Sequence, residues 1–168
     1  MNTAIRIGLA EPADVPDLHR LIRALAVYEK LEAICVSEPS DIEKALFGPN
    51  PAAEALIARD EARSGFPVGF ALFFHTFSTF LGRRGLWLED LFVQPDYRGA
   101  GVGRALLKQL AAIARHRACA RFEWSVLDWN EPAIGFYQRL GATILTDWRI
   151  ARVTGMALER LAGDEPPG

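Results

Sequence analysis

Arg98-Gly99-Ala100-Gly101-Val102-Gly103 places three glycines between an apolar run, Trp87–Val93, and a run of helical character that begins at Arg104. A strand that ends in such a turn and opens into a helix presents several unpaired backbone N–H groups at one point. The positive end of the helix dipole lies behind them, so the chemistry on offer is anion binding, above all of phosphate. Glycine suits the loop because a side chain would keep a phosphate away from the backbone. A nucleotide-hydrolysing P-loop would need Gly-x-x-x-x-Gly-Lys-Ser/Thr. Here Arg104-Ala105 follows the last glycine, so the lysine and the Mg²⁺-binding hydroxyl are both missing. A dinucleotide fingerprint would need Gly-x-Gly-x-x-Gly near the start of a parallel array. This loop reads Gly-x-Gly-x-Gly and lies past the middle of the chain. A glycine turn of purely structural purpose has the same composition, so the turn alone names no reaction.

The elements that must position this loop are legible from periodicity. Ile5–Leu9 alternates as a strand, and Pro12 to about Tyr28 is an amphipathic helix with Val15, Leu18, Leu21, Ile22, Leu25 and Ala26 on one face. Ser40-Asp41-Ile42-Glu43 has the form of a capping box for a short helix that ends near Gly48-Pro49. Ala55–Ala58 and Val68–Phe74 predict two antiparallel strands joined through Glu61–Gly65, and Gly82-Arg83-Arg84-Gly85 predicts the turn into Trp87–Val93. After the loop comes a helix to about Arg117, whose apolar face carries Val102, Leu106, Leu110 and Ile113. Arg121–Val126 predicts another strand. Asn130 and Pro132 start a further helix that stops at Leu140-Gly141, and Arg149–Val153 predicts a last strand. The order is that of an α+β domain over residues 1–168, with a mostly antiparallel sheet and one βαβ crossover after the loop. Residues 163–168 are expected to be a frayed tail.

Composition narrows the class. The chain has 168 residues, half of them hydrophobic and 24% charged, with a net charge of −2. That is ordinary for one globular domain. There is no basic block to engage nucleic acid. No apolar run approaches the roughly 20 residues of a membrane helix, and Met1–Ala4 leads into mixed sequence without a signal-peptide core. Cys35 and Cys119 lack motif spacing and are expected to be free thiols in a reducing cytoplasm. His19, His75 and His116 are scattered, so no metal site is expected.

Arg98-x-x-Gly101-x-Gly103 matches the Gln/Arg-x-x-Gly-x-Gly/Ala signature of the GNAT N-acetyltransferases. Five further segments resemble the diamine branch of that family, which includes the spermidine/spermine and thialysine enzymes. They are Tyr28–Glu32, Leu88–Val93, Asp96–Gly99, Leu127–Pro132 and Phe136–Ala142. The Leu-Asp-Trp-Asn segment is closer to the thialysine type, and its Asn-Glu-Pro continuation to the polyamine type. The likeness runs from about Ile5 to Leu161. It implies the GNAT-type fold, a mixed, mostly antiparallel central sheet with helices on both faces. It also implies acetyl-CoA as cosubstrate, a small cationic amine as acceptor, and a homodimer.

Acetyl transfer to an amine needs a neutral nitrogen. An alkyl ammonium titrates near 10.4, so neutrality at pH 7 costs about 4–5 kcal/mol, and a carboxylate must take the proton, directly or through water. Glu89 and Asp90 are the candidates. On a regular strand they point to opposite faces, so both can serve one site only if a local bulge re-aims Asp90. The resemblance implies Glu89 as water-relayed base and acceptor ligand. It implies Tyr137 as the acid that meets the departing sulfur. A phenol near 10 against a thiol near 8.5 makes full proton transfer uphill by about 2 kcal/mol, so a hydrogen bond that strengthens with thiolate charge is expected. The pantetheine arm is expected along the backbone of Leu91, Phe92 and Val93, as an added strand. The pyrophosphate is expected at Gly99, Ala100, Gly101, Val102, Gly103 and Arg104, with charge from Arg98 and Arg104. Asn130, Pro132 and Ala133 are expected on the other side of CoA. Tyr28, Glu29, Glu89, Asp90, Glu123, Trp124 and Ser125 match acceptor-side positions, while Glu32 fits the polar end of the first helix better. Between Ala142 and Trp148 the chain is about three residues shorter than the animal enzymes, which keeps a smaller amine or amino acid in play as acceptor. A non-catalytic acyl-CoA-binding module on the same fold, or acetylation of a protein or peptide amine, stand as alternatives.

Overall fold

The structure is a computed structural model and describes residues 4–163. The chain divides into two compact units, Met1–Ser125 and Val126–Gly168. The predicted tail beyond Gly163 lies outside the described residues.

The first unit is built on one five-stranded sheet in the order β1-β2-β3-β4-β5. Its strands are β1 (Ile5–Leu9), β2 (Glu54–Asp60), β3 (Phe66–Ser78), β4 (Arg83–Val93) and β5 (Arg121–Trp124). The first four pair antiparallel with their neighbours in sequence. β4 and β5 pair in parallel, joined by helix α3 (Val102–His116), which is the predicted crossover. Helix α1 (Val15–Glu29) and the short α2 (Pro39–Phe47) cover one face. There Leu18, Leu21, Leu25 and Leu46 pack on Ala55, Ile57, Phe70 and Phe92. Each buried leucine, isoleucine or phenylalanine side chain there contributes about 1.5–3 kcal/mol. The alternate residues Leu56, Ala58, Ala71 and Phe73 are buried as well, so they face the other side. Helix α3 lies there, packed against all five strands. Arg117 at its C-terminal end pairs with Glu54 and stands 5.9 Å above the Phe73 ring.

Three boundaries differ from the sequence reading. β5 ends at Trp124 and not at Val126, because its pairing with β4 stops at Leu88. Helix α2 starts two residues early, with Glu38 at the cap and its N–H donating to Asp41 Oδ2 at 2.9 Å. Ser40 is inside the helix, because Pro39 already takes the first helical position. The β3–β4 ladder also runs on past the expected turn, through Thr76 with Gly85, Phe77 with Arg84 and Ser78 with Arg83.

The second unit holds α4 (Glu131–Arg139) and α5 (Met156–Ala162). Asn130 caps α4, its side chain accepting from the Ala133 N–H at 3.3 Å. Gly141, at φ +93°, follows the helix end at the predicted place. The predicted strand Arg149–Val153 does not form. Alternation fits a strand to one face, but a strand also needs a partner ladder, and the described residues of this unit contain no other strand.

Candidate active site

Helix α1 carries Tyr28 and Glu29, two residues expected on the acceptor side, in its last turn. The helix stops at Lys30, which adopts φ +60°, and the Leu31 N–H closes back on the Ala26 carbonyl at 2.9 Å. Tyr28 and Glu29 therefore sit at a helix C-terminus. A carboxylate gains nothing from the dipole there, and burial lifts the Glu29 carboxyl above its ordinary range. That placement is poor for stability and good for binding a cation. Glu32 lies beyond the helix and is exposed.

Strand β4 carries the central feature. Leu72 pairs with Asp90, yet the next residue, Phe73, pairs with Leu88. Glu89 is thus the extra residue of a β-bulge. Leu88 opposes Phe73 on the α3 side, whereas Asp90 opposes Leu72 on the α1 side. Trp87 opposes Phe74 and meets its ring at 6.5 Å, also on the α1 side. The Trp87 indole N–H donates to Glu89 Oε2 at 3.0 Å and holds that carboxylate with the same group. The bulge is the condition under which both carboxylates of a Glu-Asp pair address one face. Burial foremost, then the charges of Glu89 and Glu29, pushes the Asp90 carboxyl up to about 6.

The bulge coincides with a change in strand pairing. β5 pairs β4 only from Gly85 to Leu88. From Asp90 to Val93 the ladder runs to β3 alone, so the backbone of Leu91, Phe92 and Val93 has one edge outside the sheet. Glu123 pairs with Trp87 in register and is held by the Arg121 guanidinium at 2.7 Å. Trp124 pairs with Leu88, which puts it on the α3 side, and Ser125 lies just past the strand.

The glycine loop follows directly. A short 3₁₀ turn, Pro95–Tyr97, is fixed by buried Tyr97, whose hydroxyl donates to Asp60 Oδ2 at 2.9 Å and accepts from Arg63 at 3.1 Å. Gly99 and Gly101 then adopt φ +76° and +86°, the left-handed region that disfavours side chains. A Cβ on either would meet nothing within 4 Å, so the space over the loop is open. Gly101 is the N-cap of α3, and the first helical bond runs from Ala105 N–H to the Gly101 carbonyl at 2.9 Å. The N–H groups of Val102, Gly103 and Arg104 precede that bond and have no place in the helix ladder. These features fit a pyrophosphate with an amide-bearing arm.

In the second unit Tyr137 is buried on α4, with its ring 5.4 Å from that of Phe136. No group of His, Cys, Asp and Glu among the described residues could hold a metal ion, and both cysteines are free. Sequence reasoning named the carboxylates, the strand edge, the glycine loop and Tyr137 but left the bulge as a condition, and it did not single out Trp87 or Tyr97.

A family model described as Acetyltransferase (GNAT) family matches residues 21–142. The thialysine N-epsilon-acetyltransferase of Mus musculus is 38% identical over 167 residues, covering 94% of this chain and 97% of that protein. The L-ornithine N5-acetyltransferase of Arabidopsis thaliana is 32% identical, covering 93% and 87% respectively. Among solved structures, an integron cassette protein from the mobile metagenome of V. cholerae superimposes with a TM-score of 0.79 at 25% identity, over 95% of this chain and 98% of that one.

Proposed function

Since the chain belongs to the GNAT acetyltransferase family and is an N-acetyltransferase with the fold of that family, we propose that it moves the acetyl group of acetyl-CoA onto a primary amine of a small cationic acceptor. The acceptor is a polyamine, a diamine, or an amino acid of the thialysine, lysine or ornithine kind. The observation that carries this reading is the β4 bulge at Glu89. It sets two carboxylates on the face of Tyr28 and Glu29 and leaves an open strand edge just before the glycine loop. The names of the relatives, thialysine and L-ornithine acetyltransferases, support the acceptor class.

Acetyl-CoA would supply the thioester that reacts. The backbone edge at Leu91, Phe92 and Val93 would pair with its amides, and an N–H there would polarise the acyl carbonyl. Gly99 to Arg104 would hold the pyrophosphate, and Asn130, Pro132 and Ala133 would contact the other side. Glu29, Asp90 and Glu123 attract the ammonium groups of the acceptor. Glu89 takes the proton from the attacking amine, directly or through one water. As the C–N bond forms and the C–S bond breaks in a ternary complex, the Tyr137 hydroxyl gives a hydrogen bond to the departing sulfur. The two units act as one acetyltransferase domain, which the family match across residues 21–142 supports. We place the enzyme in the cytoplasm, as a homodimer, in keeping with its free thiols and the exposed Trp148, Ile150, Met156 and Leu161. No helix among the described residues is long and apolar enough to cross a membrane.

The test is a steady-state screen with acetyl-CoA over spermidine, spermine, putrescine, thialysine, lysine and ornithine. Turnover with one or more of these is the expected result. CoA binding without turnover on any of them would point to a binding module instead.

A further inference from the structure

Arg98 opens the glycine loop, yet its backbone N–H and its guanidinium Nε are committed elsewhere. Its backbone N–H donates to the Pro95 carbonyl at 3.1 Å. Its guanidinium Nε donates to the Val93 carbonyl at 3.1 Å. The guanidinium carbon stands 4.4 Å above the Tyr28 ring and 5.7 Å above the Phe92 ring. One planar cation thus touches the acceptor-side tyrosine on α1 and the cofactor-side strand β4 together.

The Val93 carbonyl is the informative partner. A Cβ on Gly69 would come within 2.8 Å of the Phe92 carbonyl oxygen, so that carbonyl points toward β3. Successive carbonyls of a strand point opposite ways. The Val93 carbonyl therefore points to the edge that β5 leaves open, the edge assigned above to the amide arm of the cosubstrate. Arg98 occupies the last acceptor of that edge. An amide ligand that pairs along Leu91–Val93 must share this carbonyl with Arg98 or shift the guanidinium. Either event is felt at the Tyr28 ring.

We propose that Arg98 is a positioning residue through which occupancy of the open β4 edge sets the place of Tyr28, so that cosubstrate binding and acceptor binding are coupled. This rests on the proposed use of CoA at that edge. A lysine could replace Arg98 as a point charge beside a phosphate. It could not replace a planar fork that stacks on a ring while donating to a carbonyl. Reciprocity requires that the acceptor tighten CoA by the same factor that CoA tightens the acceptor.

The chain has only three tyrosines, Tyr28, Tyr97 and Tyr137, so ring-labelled tyrosine NMR reports Tyr28 directly, with Tyr28→Leu as its assignment. CoA is titrated into wild type, Arg98→Gln and Arg98→Lys, with calorimetry for affinity. The expected result is a Tyr28 shift on CoA binding in wild type that is lost in both variants. Where an amine turns over, both variants should also raise its KM by about 5-fold or more at saturating acetyl-CoA. In that KM, the Arg98→Gln/Tyr28→Leu double variant should be no worse than Tyr28→Leu alone. CoA that binds wild type without moving Tyr28 overturns the coupling and leaves the functional reading intact. So does a variant that weakens CoA alone and is rescued by lysine, the pattern of a simple phosphate ligand. Failure of wild type to bind CoA defeats the functional reading, and the coupling falls with it.

Discussion

Asp90 sits where three carboxylates converge, and its proton tells how much that convergence costs. Unfolded, it titrates near 3.8; folded, at about 6. Between those values the folded state holds a proton that the unfolded chain has released. Stability from this group therefore falls as pH rises through that window, and the penalty is complete above about pH 6. Asp90→Asn should raise the thermal unfolding midpoint at neutral pH, by a gain on the order of 1–3 kcal/mol. Scans below about pH 4 should show the gain gone; a variant no more stable than wild type at neutral pH would contradict the burial argument. The same substitution should raise the KM for a dicationic acceptor, because a charge proposed to face the acceptor is removed. Tyr137→Phe tests the other end of the reaction. It should lower kcat about 10²-fold at unchanged CoA affinity, and an unaltered kcat would remove Tyr137 as the acid. Glu29, Glu89, Asp90 and Tyr28 were all legible as candidates, since family-like segments carry them. Their environment was not. Burial of Glu29 depends on chain segments distant in sequence, and the bond from Trp87 to Glu89, though local, depends on a bulge set by pairing with β3.

At the scale of elements, the strand–loop–helix unit from β4 to α3 carries the proposed chemistry. Its periodicity was readable, because Trp87–Val93 is apolar enough for a buried strand and α3 keeps one apolar face through Val102, Leu106 and Leu110. The bulge was not readable. Register is a relation between two strands, and nothing in Leu88-Glu89-Asp90 states that Phe73 will pair with Leu88 while Leu72 pairs with Asp90. Arg149–Val153 failed for the converse reason, an alternating pattern without a partner strand in its own unit. Gly101 offers a clean element-level test. At φ +86°, with open space where a Cβ would stand, its replacement by alanine costs about 1–2 kcal/mol through backbone strain alone. Denaturant unfolding should show that loss, and calorimetry should show weaker CoA binding, because the N–H groups of Val102 to Arg104 depend on this cap. An alanine variant with wild-type CoA affinity would separate the loop from phosphate binding.

For the whole molecule, the proposed homodimer would cover exposed apolar side chains of the second unit. Trp148 is 79% and Leu161 74% exposed in a single chain. Sedimentation at micromolar concentration should give a dimer that Trp148→Glu or Leu161→Glu weakens; a monomer in wild type would contradict the assembly. Acetyl transfer itself is the central claim. The most direct measurement is the initial rate of acetylated amine formed from acetyl-CoA and the cationic amine panel at neutral pH, for wild type and Glu89→Gln side by side. The account predicts product from at least one cationic primary amine, and about 10²-fold less from the variant. Acetyl-CoA bound with no acetylated amine from any member of the panel, or equal rates in the two proteins, would contradict it.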